Sequence, residues 1–289
     1  MVIEKGAKKR IFVETEYLGA NVSCINTKKG LVLIDSPFLP EDAKAWAELI
    51  RERTGRDIAF QINTDHHFDH VMGNDFLTDK IICHSTAAKG IKFLRDKKEL
   101  KNIIRASFPD ILDSIETEID DLRIPSPHIT FDRKLTLDMG DATIILEFVG
   151  GHSPGTILVY LPEDRVVFTG DNVEGQFPYF GQGQFYVWKD ILKKILSMDI
   201  ELVVPGHGQV GGKEMVERYL SFFQNMEEEV KNFKLQGVTI EQMVQKSKTI
   251  HFFPVDETSD EVQDPSWLEQ QYRFAAKQIL ASTGSSTQK

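Results

Sequence analysis

The chain has 289 residues, of which 34 are Lys or Arg and 44 are Asp or Glu, so its formal net charge is −10. This length suffices for one large domain with a substantial core. The acidic balance argues against a nucleic-acid partner, because binding to phosphates normally requires a basic surface. No apolar run reaches the roughly eighteen residues that a membrane-spanning helix needs, so we expect no membrane association.

The cysteine content and the amino terminus bear on the cellular compartment. Cys24 and Cys83 are the only cysteines, and both stand in apolar, strand-like surroundings without CxxC spacing. This pattern predicts buried thiols rather than a disulfide framework. The first residues, from Met1 to Gly6, lack the long apolar stretch of a secretory signal, so we expect a cytoplasmic location.

The first part of the chain alternates short strands with a helix. Residues 31–34 have the composition of a buried strand. Apolar residues at intervals of three and four after Pro40 predict a helix that ends at Gly55. Residues 58–62 and 81–83 again predict strands.

The middle of the chain opens with a charged segment, residues 85–122, which predicts helices interrupted at Pro109. Such a segment covers a site, forms a dimer contact or packs on the sheet as a surface layer, and the sequence leaves these alternatives open. Residues 129–149 return to short strands, and residues 156–161 and 165–168 predict a hairpin.

The last third of the chain predicts mainly helices. They cover residues 189–198, the stretch after Gly208 up to a break at Gly237, and residues 240–250 and 267–280. Residues 254–265 predict a loop, and residues 282–289 predict a frayed tail.

The residues that carry chemistry begin with the run Thr64-Asp65-His66-His67-Phe68-Asp69-His70, which follows a predicted strand. Imidazoles and carboxylates are costly to crowd together unless a cation neutralises and orders them. Three later Gly-rich turns, each after a predicted strand, carry His152, Asp171 and His207. Because strand ends gather the functional sites of open α/β sheets, the pattern predicts a metal site. His84, His128 and His251 are expected to be structural, with a supporting role beside the site left open for His84.

In this order and at these intervals, the fragments resemble the metallo-β-lactamase-fold hydrolase superfamily, from about Leu18 to Gly208. The resemblance implies an α/β fold, namely an αββα four-layer sandwich. It also implies a domain of residues 1–210 with a helical insertion at about 85–122. Residues 211–289 would form a C-terminal helical extension packed on the same domain.

The resemblance also implies a set of metal ligands. A first metal would be held by Asp65, His67 and His152, and a second by Asp69, His70 and His207, with Asp171 bridging them. The departure from the family pattern is Asp65, which stands where the first His of the motif is expected. A carboxylate oxygen binds zinc at about 2.0–2.2 Å, but the shorter side chain is expected to shift, weaken or abolish the first metal. The neighbouring His66 is expected to point to the opposite side of the segment.

The resemblance therefore implies a metal-dependent hydrolase, with two zinc ions per chain expected and a single ion as the alternative. Bound cations would make hydroxide available at neutral pH, and Asp69 would orient the nucleophile as the catalytic residue. We expect a small-molecule substrate: an ester, a thioester, a lactone or a β-lactam.

Two other functions stay open at this point. A set of two His and one carboxylate widens the metal preference towards iron or manganese, and a mononuclear iron redox enzyme of the same fold is one alternative. A metal-binding regulatory protein with low turnover is the other. A homodimer is also left open.

The stretch from Val173 to Trp188 is expected to determine specificity, since it follows Asp171 directly. Aromatic side chains on a Gly-rich loop can form an apolar wall for a small ligand. We expect two or three of its aromatics to line the pocket, from the set Phe177, Tyr179, Phe180, Phe185, Tyr186 and Trp188.

Overall fold

The structure, a computed structural model, describes residues 2–5, 10–253 and 265–284. Its strands form two sheets, of seven and five strands. Within the described ranges, no helix combines the length and the apolarity needed to cross a membrane.

The first sheet holds its seven strands in chain order. Strands β1 to β4 are antiparallel, and β4 to β7 are parallel. The carboxyl ends of β4, β5 and β6 therefore meet at one edge of the sheet. The strands are β1 (Val2–Lys5), β2 (Ile11–Glu14), β3 (Val22–Thr27), β4 (Gly30–Ile34), β5 (Ile58–Ile62), β6 (Ile81–His84) and β7 (Ile129–Phe131).

The second sheet has the order β12-β11-β10-β9-β8. Its strands are antiparallel except for the parallel pair β11 and β12. They are β8 (Lys134–Asp138), β9 (Thr143–Phe148), β10 (Ile157–Leu161), β11 (Val166–Phe168) and β12 (Leu202–Val204).

Helices follow or separate these strands. They are α1 (Pro40–Thr54), α2 (Phe68–Val71), α3 (Asn74–Leu77), α4 (Ser85–Phe93), α5 (Lys97–Ser107), α6 (Pro109–Asp121), α7 (Phe185–Ser197), α8 (Lys213–Leu235), α9 (Ile240–Lys246) and α10 (Pro265–Gly284). Short 3-10 turns occupy Gly170–Asn172 and Thr249–His251.

The alternation of side chains along each strand builds the layers. Val32 and Ile34 face the second sheet in one apolar cluster, whereas Leu31 and Leu33 pack on the other face against Trp46 of α1. In the second sheet, Val166 and Phe168 join the same central cluster, and Val167 faces the helices α7 and α8. The order is helix, sheet, sheet, helix, which confirms the predicted αββα sandwich.

Several predicted boundaries are confirmed. Helix α1 ends before Gly55, whose positive φ of 63° lets its N–H reach the Arg51 carbonyl at 2.8 Å. Pro109 begins α6, where its missing N–H costs no hydrogen bond. The helices α8 to α10 share one apolar cluster with α7, and the domain boundary near residue 210 stays a prediction.

Other expectations need correction. The metal-site run is not loop throughout, because α2 begins at Phe68 and carries Asp69 and His70. Helix α7 starts at Phe185 rather than at 189, and α9 is shorter than predicted. Residues 282–284 belong to α10 rather than to a frayed tail. Residues 254–264 of the predicted loop and 285–289 of the predicted tail lie outside the described residues.

A buried ion pair connects the two sheets beside this core. The Arg10 side chain, which precedes β2, donates from Nε to Asp164 Oδ2 at 3.0 Å and from Nη1 to the Asp141 carbonyl at 2.6 Å. Asp164 lies in the turn between β10 and β11, and its side chain is fully buried. Removal of one partner leaves the other charge buried without compensation.

We therefore expect Arg10→Ala to lower the free energy of unfolding by about 3–5 kcal/mol, as measured by urea denaturation. The matched control is Arg123→Ala, which removes an Arg–Asp pair with Asp75 at the surface. That control should change stability far less, because water screens exposed pairs. Equal losses in the two variants would show that the Arg10 pair does not stabilise the contact between the sheets.

Candidate metal centre

The structure brings all seven predicted site residues together at one end of the two sheets. Asp65 and His67 follow β5, and Asp69 and His70 lie on α2. The turns after β9, β11 and β12 supply His152, Asp171 and His207. The ligand atoms of Asp65, His67 and His152 lie within 4.8 Å of one another, and so do those of Asp69, His70 and His207.

The first group is centred on two facing imidazole nitrogens. His152 Nε2 lies 3.1 Å from His67 Nδ1 and 3.3 Å from Asp171 Oδ2. Burial lowers the pKa of His67 to about 4 and also lowers the pKa of His152. Both rings are therefore neutral at neutral pH, and a neutral imidazole offers the lone pair that a metal requires.

The second group meets the first at Asp171. Asp171 Oδ2 lies 3.1 Å from His70 Nε2, and Asp171 Oδ1 lies 3.6 Å from His207 Nε2. Burial acts to raise the pKa of Asp171, but His70, His207 and His152 hold it well below its usual range. Asp69 Oδ2 lies 3.2 Å from His207 Nε2. An ionised carboxylate thus stands between the two groups of ligands, in the place of a bridging ligand.

The donor set fits a first-row divalent cation. Within the described residues, the buried atoms Asp171 Oδ1 and His67 Nε2 have no hydrogen-bond partner. Neutral imidazoles and ionised carboxylates converge there, which is the combination that zinc and related metals bind. The residues present therefore fit the implied metal.

Gly206 leaves room for the Asp171 carboxylate because glycine has no Cβ. A Cβ at Gly206 would lie 1.8 Å from Asp171 Oδ1, so only glycine fits this turn before His207. The Gly-rich sequence around His207 thus has a steric cause.

The Asp65 carboxylate accepts several hydrogen bonds from neighbouring protein groups. Its Oδ2 accepts hydrogen bonds from Ser153 Oγ at 2.6 Å and from Thr156 Oγ1. Its Oδ1 accepts from the backbone N–H groups of His66 at 2.6 Å and His67 at 3.3 Å. The same Oδ1 lies 3.4 Å from His67 Nδ1. Asp65 therefore joins the loop after β5 to the turn at Ser153 while it faces the first group.

The remaining histidines lie outside both ligand groups. His66 belongs to neither group, although its Nδ1 lies 3.0 Å from Asp65 Oδ1. His84 stacks on Phe148 with 3.9 Å between ring centroids, and its Nε2 lies 3.1 Å from the Asp132 carbonyl. His128 and His251 are exposed.

Sequence reasoning missed the role of Asp35. This residue ends β4 with a positive φ of 54°, and its Oδ2 lies 3.0 Å from His70 Nδ1. Thr64 fixes the carboxylate by donating its N–H at 2.7 Å and its hydroxyl at 2.6 Å. Asp35 thereby turns His70 Nε2 towards Asp171. Its position at the end of a strand beside β5 was the available signal.

Glu174 and Asn172 lie beside the first group. Glu174 Oε1 lies 3.5 Å from His152 Nδ1, and both side chains are buried. The Asn172 side chain accepts a hydrogen bond from the His152 backbone N–H at 3.0 Å. Asn172 and Glu174 follow Asp171 within three positions of the sequence. This proximity was the only sequence signal that they lie at the site.

The two candidate ligand groups form the floor of a pocket of about 770 Å³. The loop from Val173 to Trp188 contributes Phe177 and Tyr179, so two of its six aromatics line the pocket. The helical insertion also borders it, through Phe93 and Leu94 near the end of α4 and Ile103 of α5. On the far side, α10 adds part of the wall.

The other four aromatics of the loop pack elsewhere. Phe180, Phe185 and Trp188 are buried in the cluster around α7 and α8. The Tyr186 hydroxyl donates to Glu227 Oε1 at 3.3 Å.

Comparison with known proteins identifies the class. The sequence profile of the Metallo-beta-lactamase superfamily matches residues 16–207. The chain therefore belongs to this superfamily, and the predicted family resemblance is confirmed.

Individual relatives are distant. The metallo-beta-lactamase type 2 of Bacillus sp. (strain 170) is 26% identical over 223 residues, which cover 72% of this chain and 77% of that protein. The beta-lactamase-like protein 2 homolog of Caenorhabditis elegans is 26% identical over 216 residues, which cover 73% of this chain and 64% of that protein.

Solved structures agree on the fold. The metallo-beta-lactamase from Pontibacter korlensis has a TM-score of 0.60 at 19% identity, over 78% of this chain and 99% of its own. The stereoselective inverting sec-alkylsulfatase Pisa1 from Pseudomonas sp. has a TM-score of 0.69 at 15% identity, over 93% of this chain and 48% of its own. The chain thus spans about half the length of that alkylsulfatase.

The contact between Asp35 and His70 predicts an effect on metal affinity. We expect Asp35→Asn to weaken metal binding by about 10- to 100-fold, because His70 loses the carboxylate that orients it. Titration against a chelator of known affinity measures the change. Asp113→Asn, which removes an exposed carboxylate on α6, is the control and should bind as the parent does. Unchanged affinity in Asp35→Asn would contradict the orienting role.

The departure at Asp65 gives a second prediction. We expect Asp65→His to raise the occupancy of the first group, since imidazole restores the usual reach towards His67 and His152. Elemental analysis of protein purified without added metal measures the stoichiometry. An unchanged stoichiometry, with the fold intact by circular dichroism, would show that Asp65 is not a ligand.

Proposed function

We propose that the protein is a metal-dependent hydrolase that acts on a small carbonyl substrate, namely an ester, a thioester, a lactone or a β-lactam. The observation that carries this proposal is the convergence of two ligand groups on Asp171 at the floor of the pocket. Membership of the superfamily supports the same reading.

Asp69 is the proposed catalytic residue. It lines the pocket, and it also contacts His207 in the second group. Burial acts to raise its pKa, but His70 and His207 lower it below the usual value. Asp69 is therefore ionised at neutral pH, where its carboxylate can accept a hydrogen bond from an attacking water and orient it.

Tyr179 is the proposed donor to the substrate. Its ring lies 5.9 Å from the rings of both His67 and His152, and it lines the pocket above them. Burial raises its pKa, so the phenol keeps its proton at neutral pH. A neutral hydroxyl at this place is available to donate a hydrogen bond to the oxygen of a bound carbonyl group.

Zinc is the proposed metal, with iron or manganese as the alternative. The proposed ligands are Asp65, His67, His152, Asp69, His70, His207 and Asp171. A divalent cation lowers the pKa of a water that it binds from 15.7 towards about 7. A single iron per chain would favour the redox alternative, because two His with one carboxylate also suit that metal.

A second candidate is the hydrolysis of an alkyl sulfate. One observation favours it: the similarity to the sec-alkylsulfatase extends over 93% of this chain, whereas the similarity to the Pontibacter korlensis metallo-beta-lactamase extends over 78%. The two reactions differ in the charge of the substrate, and an assay of both substrate classes separates them.

Elemental analysis followed by an activity panel tests the proposal. We expect zinc in the purified protein and hydrolysis of at least one ester, thioester, lactone or β-lactam, whereas hydrolysis of an alkyl sulfate alone would favour the second candidate. Removal of metal by a chelator should abolish this activity, and added zinc should restore it. Asp69→Asn should lower kcat/KM by at least about 100-fold, in the range for loss of a positioned acid or base. Asp113→Asn should leave it unchanged, and a metal-loaded protein inert to the whole panel would overturn the proposal.

A further inference from the structure

The described part of the pocket wall lacks the side chains that are always cationic at neutral pH. Among the described residues that line it there is no Lys and no Arg. Besides His and Tyr179, the ionisable residues that line it are the acidic Asp69, Asp171 and Glu174. Residues 254–264, which precede α10, add no Lys or Arg to the chain either.

The upper part of the pocket is apolar and partly open to solvent. Phe93, near the end of α4, is 54% exposed although it is a large aromatic residue. Ile103 of α5 and Trp267 and Phe274 of α10 are half-buried and line the same pocket. Exposed apolar side chains gathered around one opening are a typical sign of a ligand site.

One fixed polar group interrupts this apolar wall. Gln271 of α10 is only 1% exposed and lines the pocket. Its Oε1 accepts the Phe180 N–H at 2.7 Å, which fixes the orientation of the amide. The Nε2 group of the same amide is a neutral donor. Such a donor suits a carbonyl or ether oxygen of a ligand.

We propose that the substrate is an uncharged ester, thioester or lactone with an elongated apolar tail, held between α5 and α10. The reaction in this inference rests on the proposed function. The class of ligand that the pocket binds does not depend on it. The reactive group would lie on the metal centre at the floor, and the tail would lie along Phe93, Ile103 and Phe274.

The charge of the walls argues against an anionic substrate. An alkyl sulfate, or the carboxylate of a typical β-lactam antibiotic, would lose water without gaining a cationic side chain from the walls. The carboxylates of Asp65, Asp69 and Asp171 would leave only one of the four positive charges of two divalent cations uncompensated. An apolar tail, by contrast, gains from leaving water along the whole wall.

Binding of uncharged probes tests the class of ligand without any turnover. Displacement of Nile red from the purified protein should show decanol binding more tightly than decyl sulfate, which has the same tail and a negative head. Phe93→Ser should weaken decanol binding, and Leu235→Ser, which alters an exposed leucine outside the pocket, should not. Tighter binding of decyl sulfate would overturn the uncharged head group, and no binding of either probe would overturn the apolar tail.

An assay of ester hydrolysis tests whether the apolar tail contributes to the reaction. The specificity constant for neutral p-nitrophenyl esters should rise from acetyl through hexanoyl to decanoyl, by up to about fourfold for each added methylene until the pocket is filled. Phe93→Ser should reduce the advantage of the decanoyl ester over the acetyl ester, whereas Leu235→Ser should keep the order of the parent. A flat series, or a preference for acetyl, would contradict the proposal. If decanol binds and no ester, thioester, lactone or β-lactam reacts, the proposed function fails while the class of ligand stands.

A charge substitution tests the role of the missing cation. Gln270→Arg places a positive charge on an exposed lining position of α10. It should tighten decyl sulfate binding relative to decanol. The matched control is Gln245→Arg, which adds the same charge on α9 outside the pocket. An equal effect of the two variants would show that the charge of the wall does not select the ligand.

Discussion

The contact of His70 with two carboxylates fixes the geometry on which the rest of the site depends. Asp35 lies at one ring nitrogen of His70 and Asp171 at the other, 3.0 Å and 3.1 Å away. Burial acts to lower the pKa of His70, but Asp171, Asp35 and Asp69 raise it well above the usual value. The charges of the buried imidazole and its carboxylates compensate one another, because none of these groups could be buried as an isolated charge. A bound cation would compensate the carboxylates in the same way. With the proton of Nδ1 held by Asp35, Nε2 is the atom that faces the centre.

The ends of the strands bring these groups together, and this part of the site could be predicted from the sequence. Each of Asp65, His152, Asp171 and His207 follows an apolar run at a Gly-rich or polar turn, and that local pattern is visible without a structure. The layers of the fold were also predictable, since buried strands and amphipathic helices have their own periodicities. What the sequence could not show is which turns face each other, because register and sheet order are long-range properties.

The residues that orient the ligands were missed for this reason. Thirty-five positions separate Asp35 from His70 along the chain. Asp35 reaches His70 only because β4 lies beside β5 in the sheet. The surroundings of Asp65 were hidden in the same way. Its contacts with Ser153 and Thr156 form across the gap between the two sheets. Asp65, the departure from the family pattern, therefore also makes hydrogen bonds that hold the two loops together.

The floor and the walls of the pocket come from different parts of the chain. The metal centre lies within residues 16–207, the part that the superfamily profile matches, whereas Trp267, Gln271 and Phe274 lie beyond it on α10. Relatives at 26% identity thus inform the chemistry of the floor more than the choice of substrate. A fold does not determine a substrate, because selectivity belongs to the side chains placed around the reactive centre. In this protein those side chains are apolar or neutral, and they come largely from the helical insertion and the C-terminal helix. We therefore expect the choice of substrate to depend on the wall of the pocket more than on its floor.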